Sequence, residues 1–434
     1  EKCSDKSVDR PSALAGDEHN GVPSGGNYAT RFWPKCNAYH RFAVLVPVVS
    51  RGRFGGGVRL QSRPTSKSPV MSDSARSSLQ EALGSFVVPH TGRPLGGPGA
   101  AFELERRGTV WHVTIRLGFP LAASGEALAD ALRMHCAAAL QGAPIELSIE
   151  ASIVAHAVQH GLKPLPGAHN LIAVASGKGG VGKSTVAVNF ALALKAEGAK
   201  VGLLDADIYG PSQPRMLGLV GRRPETRDGK LLEPLVAHGI EAMSIGFLVD
   251  EQQPMAWRGP MVTSALNQLL TQTRWGDLDY LIIDMPPGTG DIQLTLAQRV
   301  PVSGAVIVTT PQDIALADAR KGLEMFQKVH VPVLGVVENM SLHICSRCGH
   351  EEHIFGEHGG RNLSEQYGVP LLGSLPLDRR IREETDQGKP TVAADPKGPL
   401  ARAFTDAALR AAGELAARAK DYSRLFPNIT VEDN

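Results

Sequence analysis

The sequence predicts an α/β protein in which helices cover both faces of a mostly parallel sheet, preceded by a small α+β domain. From residue 171 onward, short apolar runs alternate with segments of helical period, and glycine or proline bounds the runs. Apolar runs of this length are typical of parallel strands that are buried on both faces. The predicted strands are 171–175, 200–204, 280–283, 304–308, 333–337 and 370–375. Sheets of this kind bind their ligands at the carboxyl ends of the strands.

The composition is that of an ordinary globular protein. The 434 residues are 42% hydrophobic and 21% charged, and the formal net charge of +1 favours no polyanionic partner such as nucleic acid. The length predicts about two or three domains. No apolar run reaches the ~18 residues of a membrane-spanning helix, so we expect no membrane partner. Five cysteines do not form a disulfide framework in so long a chain, which predicts a reducing, cytoplasmic environment.

The segment 1–70 differs from the rest of the chain. It is rich in glycine, serine, proline and arginine and shows no sustained periodicity. Two interpretations compete: a disordered basic tail that binds a membrane surface or nucleic acid, or a non-native extension upstream of a true start at Met71. We favour the second, because the chain begins with Glu1 rather than with methionine.

Residues 75–156 are predicted to form the small α+β domain. Apolar and polar residues alternate in 110–117 and again in 145–153, as they do in half-buried strands, and a helix is predicted between them at 124–140. Cys136 lies in an alanine- and leucine-rich part of this helix. We therefore expect Cys136 in the core and not among metal ligands.

The remaining segments are a linker, the large domain and a tail. Prolines and glycine mark 157–170 as the linker, and the large domain is expected at 171–420. Its last helix, 400–420, has small apolar residues at helical spacing and mixed charge, so we expect it to pack on the domain rather than on a membrane. The tail, 421–434, is predicted to be disordered.

A glycine-rich phosphate loop follows the first strand of the large domain. The spacing Gly177-x4-Gly182-Lys183-Ser184 matches the P-loop pattern, in which backbone N–H groups and a helix N-terminus surround phosphate oxygens. In this pattern Lys183 reaches the β- and γ-phosphates of ATP, and the Ser184 hydroxyl ligates Mg²⁺. A chance glycine turn is the alternative. The candidate nucleotide-binding residues are Gly177, Lys178, Gly179, Gly180, Val181, Gly182, Lys183, Ser184 and Thr185.

Carboxylates end two of the other predicted strands. Asp205 and Asp207 follow the second strand, where carboxylates beside a triphosphate hold water on Mg²⁺ or position the attacking water. A plain aspartate turn is the alternative there. Asp284 ends an apolar strand, as in a Walker B motif, and is expected to support Mg²⁺. A Pro-Pro-Gly turn then leads into Gly288–Asp291, a loop suited to move on hydrolysis.

A later loop contains two cysteines at metal-binding spacing, Cys345-x2-Cys348. Two thiols at this spacing form a chelating pair. An iron–sulfur cluster is usually held by four thiolates, which a symmetric dimer would supply from two chains. Zinc is an alternative, because His350, His353 and His358 could complete a Cys2His2 site. A redox-active disulfide is a further alternative.

A second lysine in the phosphate loop, Lys178, makes this loop resemble the deviant Walker A ATPases. That group includes the MinD and ParA positioning ATPases, nitrogenase iron protein and the Mrp/ApbC iron–sulfur carriers. The resemblance implies that Lys178 crosses a dimer interface and stabilises phosphoryl charge on the partner's nucleotide, so that hydrolysis is slow and dimer-dependent. It also implies catalytic roles for Lys178, Lys183, Asp205 and Asp207. Asn339, at a strand end, is then the candidate for adenine recognition, with Asp378 as a second, weaker candidate, although asparagine there is also an ordinary turn residue.

Further motifs narrow the resemblance to one family. In chain order they are Asp205-Ala-Asp-Ile-Tyr-Gly-Pro-Ser212, Trp257-Arg-Gly-Pro-Met261, Asp284-Met-Pro-Pro-Gly-Thr-Gly-Asp291, Cys345-x2-Cys348 and Gly373-Ser-Leu-Pro-Leu-Asp378. Together they resemble the Mrp/ApbC iron–sulfur cluster carriers over about 171–390. The resemblance implies a homodimeric ATPase that uses ATP and Mg²⁺, binds a [4Fe–4S] cluster between the cysteine pairs of two chains and passes it to apo-proteins. The alternative is a ParA/MinD-like positioning ATPase that acts on DNA or membrane.

Overall fold

The computed structural model describes residues 73–226, 229–249, 259–345 and 347–420, which belong to the unit Lys67–Asn434. The expected extension 1–70 and the expected tail 421–434 lie outside the described residues. Trp257 and Arg258 of the Trp-Arg-Gly-Pro-Met motif also lie outside. None of the described helices has the length and apolar content needed to cross a lipid bilayer.

A three-stranded sheet and two longer helices form the small α+β domain, which we call the front domain. Its elements are α1 (Asp73–Ser85), β1 (Val87–Val88), β2 (Arg93–Pro94), β3 (Ala100–Arg107), β4 (Val110–Leu117), α2 (Gly125–Leu140) and β5 (Ile145–Ala151). Strands β3 and β4 are antiparallel, whereas β4 and β5 are parallel and are joined through α2. Along β4, Trp111, Val113, Ile115 and Leu117 are buried, and Cys136 of α2 is buried as predicted. Only β3 among the three sheet strands was not predicted.

Eight strands form the large sheet in the order β15-β12-β11-β6-β10-β7-β9-β8, and only the edge strand β8 is antiparallel to its neighbour. The strands are β6 (Ala168–Ala175), β7 (Val201–Asp205), β8 (Leu235–Ala237), β9 (Ile240–Ser244), β10 (Leu278–Asp284), β11 (Gly304–Thr309), β12 (Val333–Glu338) and β15 (Leu371–Ser374). A separate hairpin consists of β13 (His343–Ile344) and β14 (Glu351–Glu352). The predicted fold class is confirmed.

Helices alternate with these strands along the chain. They are α3 (Lys183–Ala196), α4 (Gln213–Met216), α5 (Gly259–Thr271), α6 (Asp291–Arg299), α7 (Asp313–Lys328), α8 (Gly359–Tyr367), α9 (Arg379–Asp386), α10 (Thr391–Ala394) and α11 (Pro399–Ala416), with a 3-10 turn at Ile245–Phe247. The helix α3 packs on β6, β7 and β10, and α7 packs on β11 and β12. This alternation places the loops that follow the strands at one edge of the sheet.

Two parts of the large domain differ from the prediction. Its first strand begins at Ala168, inside the predicted linker 157–170, because Ala168 already pairs with Leu278 of β10. The prediction missed the start of this strand because Asn170 is polar and an apolar run was expected. In the structure the buried amide oxygen of Asn170 accepts hydrogen bonds from the backbone N–H and the ring of His156. The hairpin of β8 and β9 at the sheet edge was not predicted.

The last helix packs on the domain, as predicted. It ends at Ala416 rather than at residue 420, and it lies against α3, α10 and β15. Its buried side chains include Leu400, Phe404 and Leu415. The apolar stripe of α11 is therefore part of the core of the large domain.

The front domain contacts the large domain at the end of α3. Glu197, which follows α3, is only 3% exposed. Its carboxylate accepts hydrogen bonds from the N–H groups of Ala123 (2.9 Å) and Ser124 (3.0 Å) and from the Ser124 hydroxyl (2.6 Å). An acidic side chain thus lies at the N-terminus of α2, where the helix dipole favours it. Since α3 begins at the phosphate loop, the front domain lies at the opposite end of that helix.

Candidate functional site

The phosphate loop lies between β6 and α3, at the carboxyl edge of the sheet. Gly180 and Gly182 have positive φ angles of 84° and 83°, which glycine adopts without strain. A Cβ atom at Gly182 would overlap the side-chain amide of Asn339, and one at Gly177 would overlap the backbone at Asp318. The conformation and the close neighbours of the loop therefore require glycine at these positions.

Lys183, the first residue of α3, is buried against the aspartate that ends β10. Its Nζ donates hydrogen bonds to Asp284 Oδ1 (2.5 Å) and to the Ser184 hydroxyl (3.1 Å). The side chains of Lys183 and Asp284 are only 6% and 0% exposed. A buried charge needs such a partner, because desolvation is costly without it. The structure thus brings together three residues that the sequence placed in the phosphate and metal site.

Asp205 ends β7 and pairs in register with Asp284 of the neighbouring strand. It is fully buried, and its carboxylate accepts hydrogen bonds from the N–H groups of Asp207 (3.2 Å) and Gln213 (3.1 Å) and from the Ser244 hydroxyl (3.0 Å). Burial and the Asp284 carboxylate raise the pKa of Asp205 to about 7. Burial also raises the pKa of Asp207. Carboxylates in this arrangement offer the oxygen ligands that Mg²⁺ prefers.

The raised pKa of Asp205 predicts a pH-dependent stability. The folded protein keeps this proton up to about pH 7, whereas the unfolded chain releases it near about pH 4. The stability that the protonated group contributes is therefore full below about pH 4 and is lost as the pH rises to about 7. We expect Asp205→Asn, which needs no proton, to raise the nucleotide-free Tm by roughly 2–4 °C at about pH 8 and by less at about pH 6. Thermal unfolding of both proteins checks this, and equal shifts at the two pH values would contradict it.

Gln213, which was not predicted, lies between the two carboxylates. Its side chain is 1% exposed, and Nε2 donates hydrogen bonds to Asp284 Oδ2 (2.8 Å) and to the Ser184 carbonyl (3.1 Å). Its backbone N–H binds Asp205. No sequence spacing marks a glutamine that makes contacts of this kind, so the role of Gln213 could not be predicted from a motif. Only its place in the loop that follows the two predicted aspartates, Asp205 and Asp207, could have indicated a role.

Asn339 follows β12 and lies against the phosphate loop. Its Nδ2 donates a hydrogen bond to the Val181 carbonyl (2.9 Å), and its side chain is buried. The structure thus places Asn339 against the predicted nucleotide-binding residues. Its contact with adenine stays a prediction.

Lys178, the second lysine of the loop, is half-buried. Its carbonyl accepts a hydrogen bond from the Ser176 hydroxyl (2.9 Å), which holds the loop backbone. Its ammonium group has no ion-pair partner in the part of the chain that the structure describes, in contrast to that of Lys183. The role of Lys178 across a dimer interface stays a prediction.

Cys345 and Cys348 lie at the tip of the hairpin formed by β13 and β14. The Cys345 N–H donates to the His350 carbonyl (2.9 Å), and the Gly349 N–H donates to the Cys345 carbonyl (2.9 Å). Cys345 is partly exposed and Cys348 is exposed. Hydrogen bonds from the backbone of Arg347, and then of Cys348, lower the pKa of Cys345. A lower pKa favours the thiolate, the form of cysteine that binds metal.

The zinc alternative is not assembled within the described residues, where no group of three or more His, Cys, Asp or Glu side chains could hold a metal ion. Of the candidate histidines, His353 contacts the Ser341 carbonyl through Nδ1 (2.8 Å). His358 precedes α8 and lies near Glu357. The cysteine pair is thus not completed by a third ligand from the described part of its own chain.

The cysteine hairpin and the residue that contacts the phosphate loop, Asn339, both follow the carboxyl end of β12. Asn339, directly after β12, contacts the phosphate loop. The Ser341 hydroxyl then donates to the Leu375 carbonyl (3.0 Å), and His343, where the hairpin starts, contacts the Leu377 carbonyl (3.0 Å). One short, anchored segment therefore connects the phosphate loop with the two thiols.

Comparisons with known proteins match this domain. The family model described as ParA: NUBPL iron-transfer P-loop NTPase matches residues 167–411. An iron–sulfur cluster carrier protein of Pseudomonas fragi is 63% identical over 265 residues, which are 61% of this chain and 92% of that protein. One of Haemophilus influenzae is 49% identical over 337 residues, 78% of this chain and 91% of that protein. The iron–sulfur cluster transfer protein NUBPL of Mus musculus is 54% identical over 260 residues, 59% of this chain and 80% of that protein.

Two solved structures also match part of this chain. A nucleotide-binding protein of Archaeoglobus fulgidus in complex with ADP is 39% identical, with a TM-score of 0.46 over 51% of this chain and 87% of that chain. The cell division ATPase MinD of Pyrococcus furiosus is 24% identical, with a TM-score of 0.41 over 56% of this chain and 97% of that chain. The range 167–411 of the family model contains the phosphate loop, the strand-end aspartates and the cysteine pair.

Proposed function

Because the chain belongs to the family of NUBPL iron-transfer P-loop NTPases, we propose that it binds and hydrolyses ATP and carries an iron–sulfur cluster to apo-proteins. The cluster would be a [4Fe–4S] cluster assembled between two subunits. The observation that carries this proposal is the segment that joins the phosphate loop at Asn339 to the partly exposed Cys345 and the exposed Cys348. If the protein were an NTPase that carries no metal, the pair of Cys345 and Cys348 would have no role.

The buried carboxylates fit a Mg²⁺ ion that binds together with ATP. Asp205 and Asp284 are fully buried beside one lysine, and the Oε1 atom of Gln213 is buried with no partner in the described chain. A hard divalent cation is the group that such a set of oxygen atoms accommodates. We assign Ser184 and Asp284 to hold Mg²⁺, which when bound would neutralise charge on the phosphates.

Lys183 has a role at both Asp284 and the phosphates. Its ammonium group binds Asp284, and in the P-loop pattern the same group reaches the β- and γ-phosphates. Backbone N–H groups of the loop and the N-terminus of α3 would surround the phosphate oxygens. Asp205 and Asp207 then remain to orient the attacking water.

We assign both hydrolysis and cluster binding to a homodimer. Lys178 has no ion-pair partner within the described chain, and phosphate charge on the partner's nucleotide would supply one. Each chain contributes Cys345 and Cys348, and a two-fold axis would unite the four thiolates that a [4Fe–4S] cluster needs. A cluster held by an exposed pair is accessible to a recipient protein. Hydrolysis would be slow because it would require two ATP-bound chains to form a dimer first.

The rival function is that of a ParA- or MinD-like positioning ATPase. It leaves the cysteine pair without a role. It also needs a nucleotide-dependent surface for DNA or membrane, and in a MinD-like protein the membrane surface is an amphipathic C-terminal helix. The apolar stripe of α11, including Leu400, Phe404 and Leu415, is instead buried against the domain. The carrier function is therefore favoured.

Transfer of the cluster tests the proposed function. Protein loaded anaerobically with iron and sulfide is mixed, in the presence of an iron chelator, with an apo-enzyme that needs a [4Fe–4S] cluster. We expect the apo-enzyme to regain activity, because a cluster passed directly between proteins is not exposed to the chelator. The matched control is the same mixture with the Cys345→Ser, Cys348→Ser variant, which should restore nothing. Loss of all iron to the chelator, with no activity regained, would contradict the carrier function.

A further inference from the structure

Gln213 contacts both strand-end carboxylates of the nucleotide site, Asp205 and Asp284, and the backbone of Ser184. It is the first residue of α4 and is 1% exposed. Its Nε2 donates to Asp284 Oδ2 (2.8 Å) and to the carbonyl of Ser184 (3.1 Å), and its N–H donates to Asp205 Oδ2 (3.1 Å). One residue therefore fixes the orientation of both carboxylates relative to the first turn of α3.

The other side-chain atom of this amide, Oε1, is buried without a hydrogen-bond partner in the described chain. The neighbouring Ser212 hydroxyl is also buried without a partner there. The amide cannot simply be reversed, because Oε1 would then face the Asp284 carboxylate, which only accepts hydrogen bonds. An unpaired buried acceptor costs free energy, so this orientation indicates a partner that binds along with the ligand.

A neutral amide suits this position for electrostatic reasons. Asp284 binds one buried cation, Lys183, and the fully buried Asp205 lies beside Asp284 on the neighbouring strand. A third carboxylate would add to the repulsion between them, whereas glutamine supplies an acceptor oxygen without negative charge. Water molecules around a bound Mg²⁺ ion need such acceptors, since the ion keeps several of them.

We propose that Gln213 is a positioning residue of the Mg²⁺–nucleotide site. Its Nε2 and backbone N–H orient Asp284 and Asp205, and its Oε1 accepts a hydrogen bond from water in the occupied site. This inference rests on the proposed ATP- and Mg²⁺-dependent function and adds a residue to it. Partners that orient metal ligands typically change metal affinity about 10–100-fold when they are removed.

Gln159 provides a matched control for a buried glutamine with a structural role. Its side chain is 8% exposed. Its Nε2 donates to the carbonyls of Ala297 (2.7 Å) and Val300 (3.0 Å), and its Oε1 accepts from the Val302 N–H (2.9 Å). All of these partners belong to the fold, and none belongs to the nucleotide site.

The experiment compares Gln213→Met with Gln159→Met, since methionine keeps the length of the side chain and removes both amide groups. Two quantities are measured: the Mg²⁺ concentration that gives half-maximal ATP hydrolysis, and the affinity for a fluorescent ADP analogue with Mg²⁺ and with EDTA. For Gln213→Met we expect the half-saturating Mg²⁺ concentration to rise about tenfold or more, with unchanged ADP affinity in EDTA. For Gln159→Met we expect a lower Tm and the wild-type Mg²⁺ dependence.

A wild-type Mg²⁺ dependence in Gln213→Met would overturn the proposal, and so would an equal loss of ADP affinity with and without Mg²⁺. If Gln213→Met does not fold, Gln213→Asn, which draws both amide groups back by one methylene, is measured in the same way with the same expectation. Failure of the proposed function itself looks different. In that case the wild-type protein would bind the ADP analogue without any influence of Mg²⁺.

Discussion

Lys183→Ala is expected to lower the rate of ATP hydrolysis by at least about a hundredfold. The lysine brings positive charge to the β- and γ-phosphates as negative charge shifts during phosphoryl transfer, and alanine leaves this task to the backbone N–H groups. Release of inorganic phosphate at saturating ATP and Mg²⁺ measures the rate. A fluorescent ATP analogue measures binding separately.

The same substitution should destabilise the nucleotide-free protein, because Asp284 loses its buried cation. Removal of one partner of a buried ion pair costs about 3–5 kcal/mol. Adding Asp205→Asn removes one of the two adjacent buried carboxylates, so the double variant should recover much of the lost Tm. It should not recover ATP hydrolysis. This combination separates the chemical role of Lys183 from its role in the fold.

Lys195→Ala is the matched control for Lys183→Ala. Lys195 lies in the last turn of the same helix, α3, and its side chain is exposed. The control should hydrolyse ATP at the wild-type rate. A folded Lys183→Ala variant that keeps more than about a tenth of that rate would contradict the assignment of the phosphate loop, because even one lost charge-stabilising donor typically costs more.

Replacing Cys345 and Cys348 with serine is expected to abolish cluster binding and leave ATP binding unchanged. Serine keeps the size and polarity of each side chain but does not supply the thiolate that iron requires. The pair lies at the tip of a hairpin, where Cys345 is partly exposed and Cys348 is exposed, so the substitutions should not disturb the core. Iron, sulfide and visible absorbance after anaerobic reconstitution measure the cluster, and a fluorescent ATP analogue measures nucleotide affinity.

Cys136→Ala is the matched control for the cysteine pair, because Cys136 is fully buried in α2 of the front domain. It should lower the Tm through the lost packing and should bind iron and sulfide as the wild-type protein does. Full iron and sulfide content in the Cys345→Ser, Cys348→Ser variant would show that the cluster is bound elsewhere.

Local patterns in the sequence were sufficient to predict where most residues of the candidate site lie in the fold. The phosphate loop is defined by spacing, and Asp205 and Asp284 each end an apolar strand. Once the parallel sheet is predicted, both carboxylates must lie at one edge, and the structure pairs them in register. The buried, small-residue face of α11 was likewise predicted from its helical period.

Contacts between distant residues could not be predicted in this way. The bond between Lys183 and Asp284 joins positions 101 residues apart, and the bonds of Gln213 depend on how its loop returns over α3. The first strand was predicted too short because Asn170 is polar, although its amide is fully bonded in the interior. In each case the role of a polar side chain depends on a partner that is distant in the sequence and close only in the folded protein.

The central claim is that two copies of this chain hold one iron–sulfur cluster between their cysteine pairs. Anaerobic sedimentation of the iron-loaded wild-type protein, with iron and sulfide measured in each fraction, tests it most directly. We predict that the metal sediments with a dimer that contains about four iron and about four sulfide per two chains. Iron and sulfide that sediment in full amount with single chains would contradict the claim.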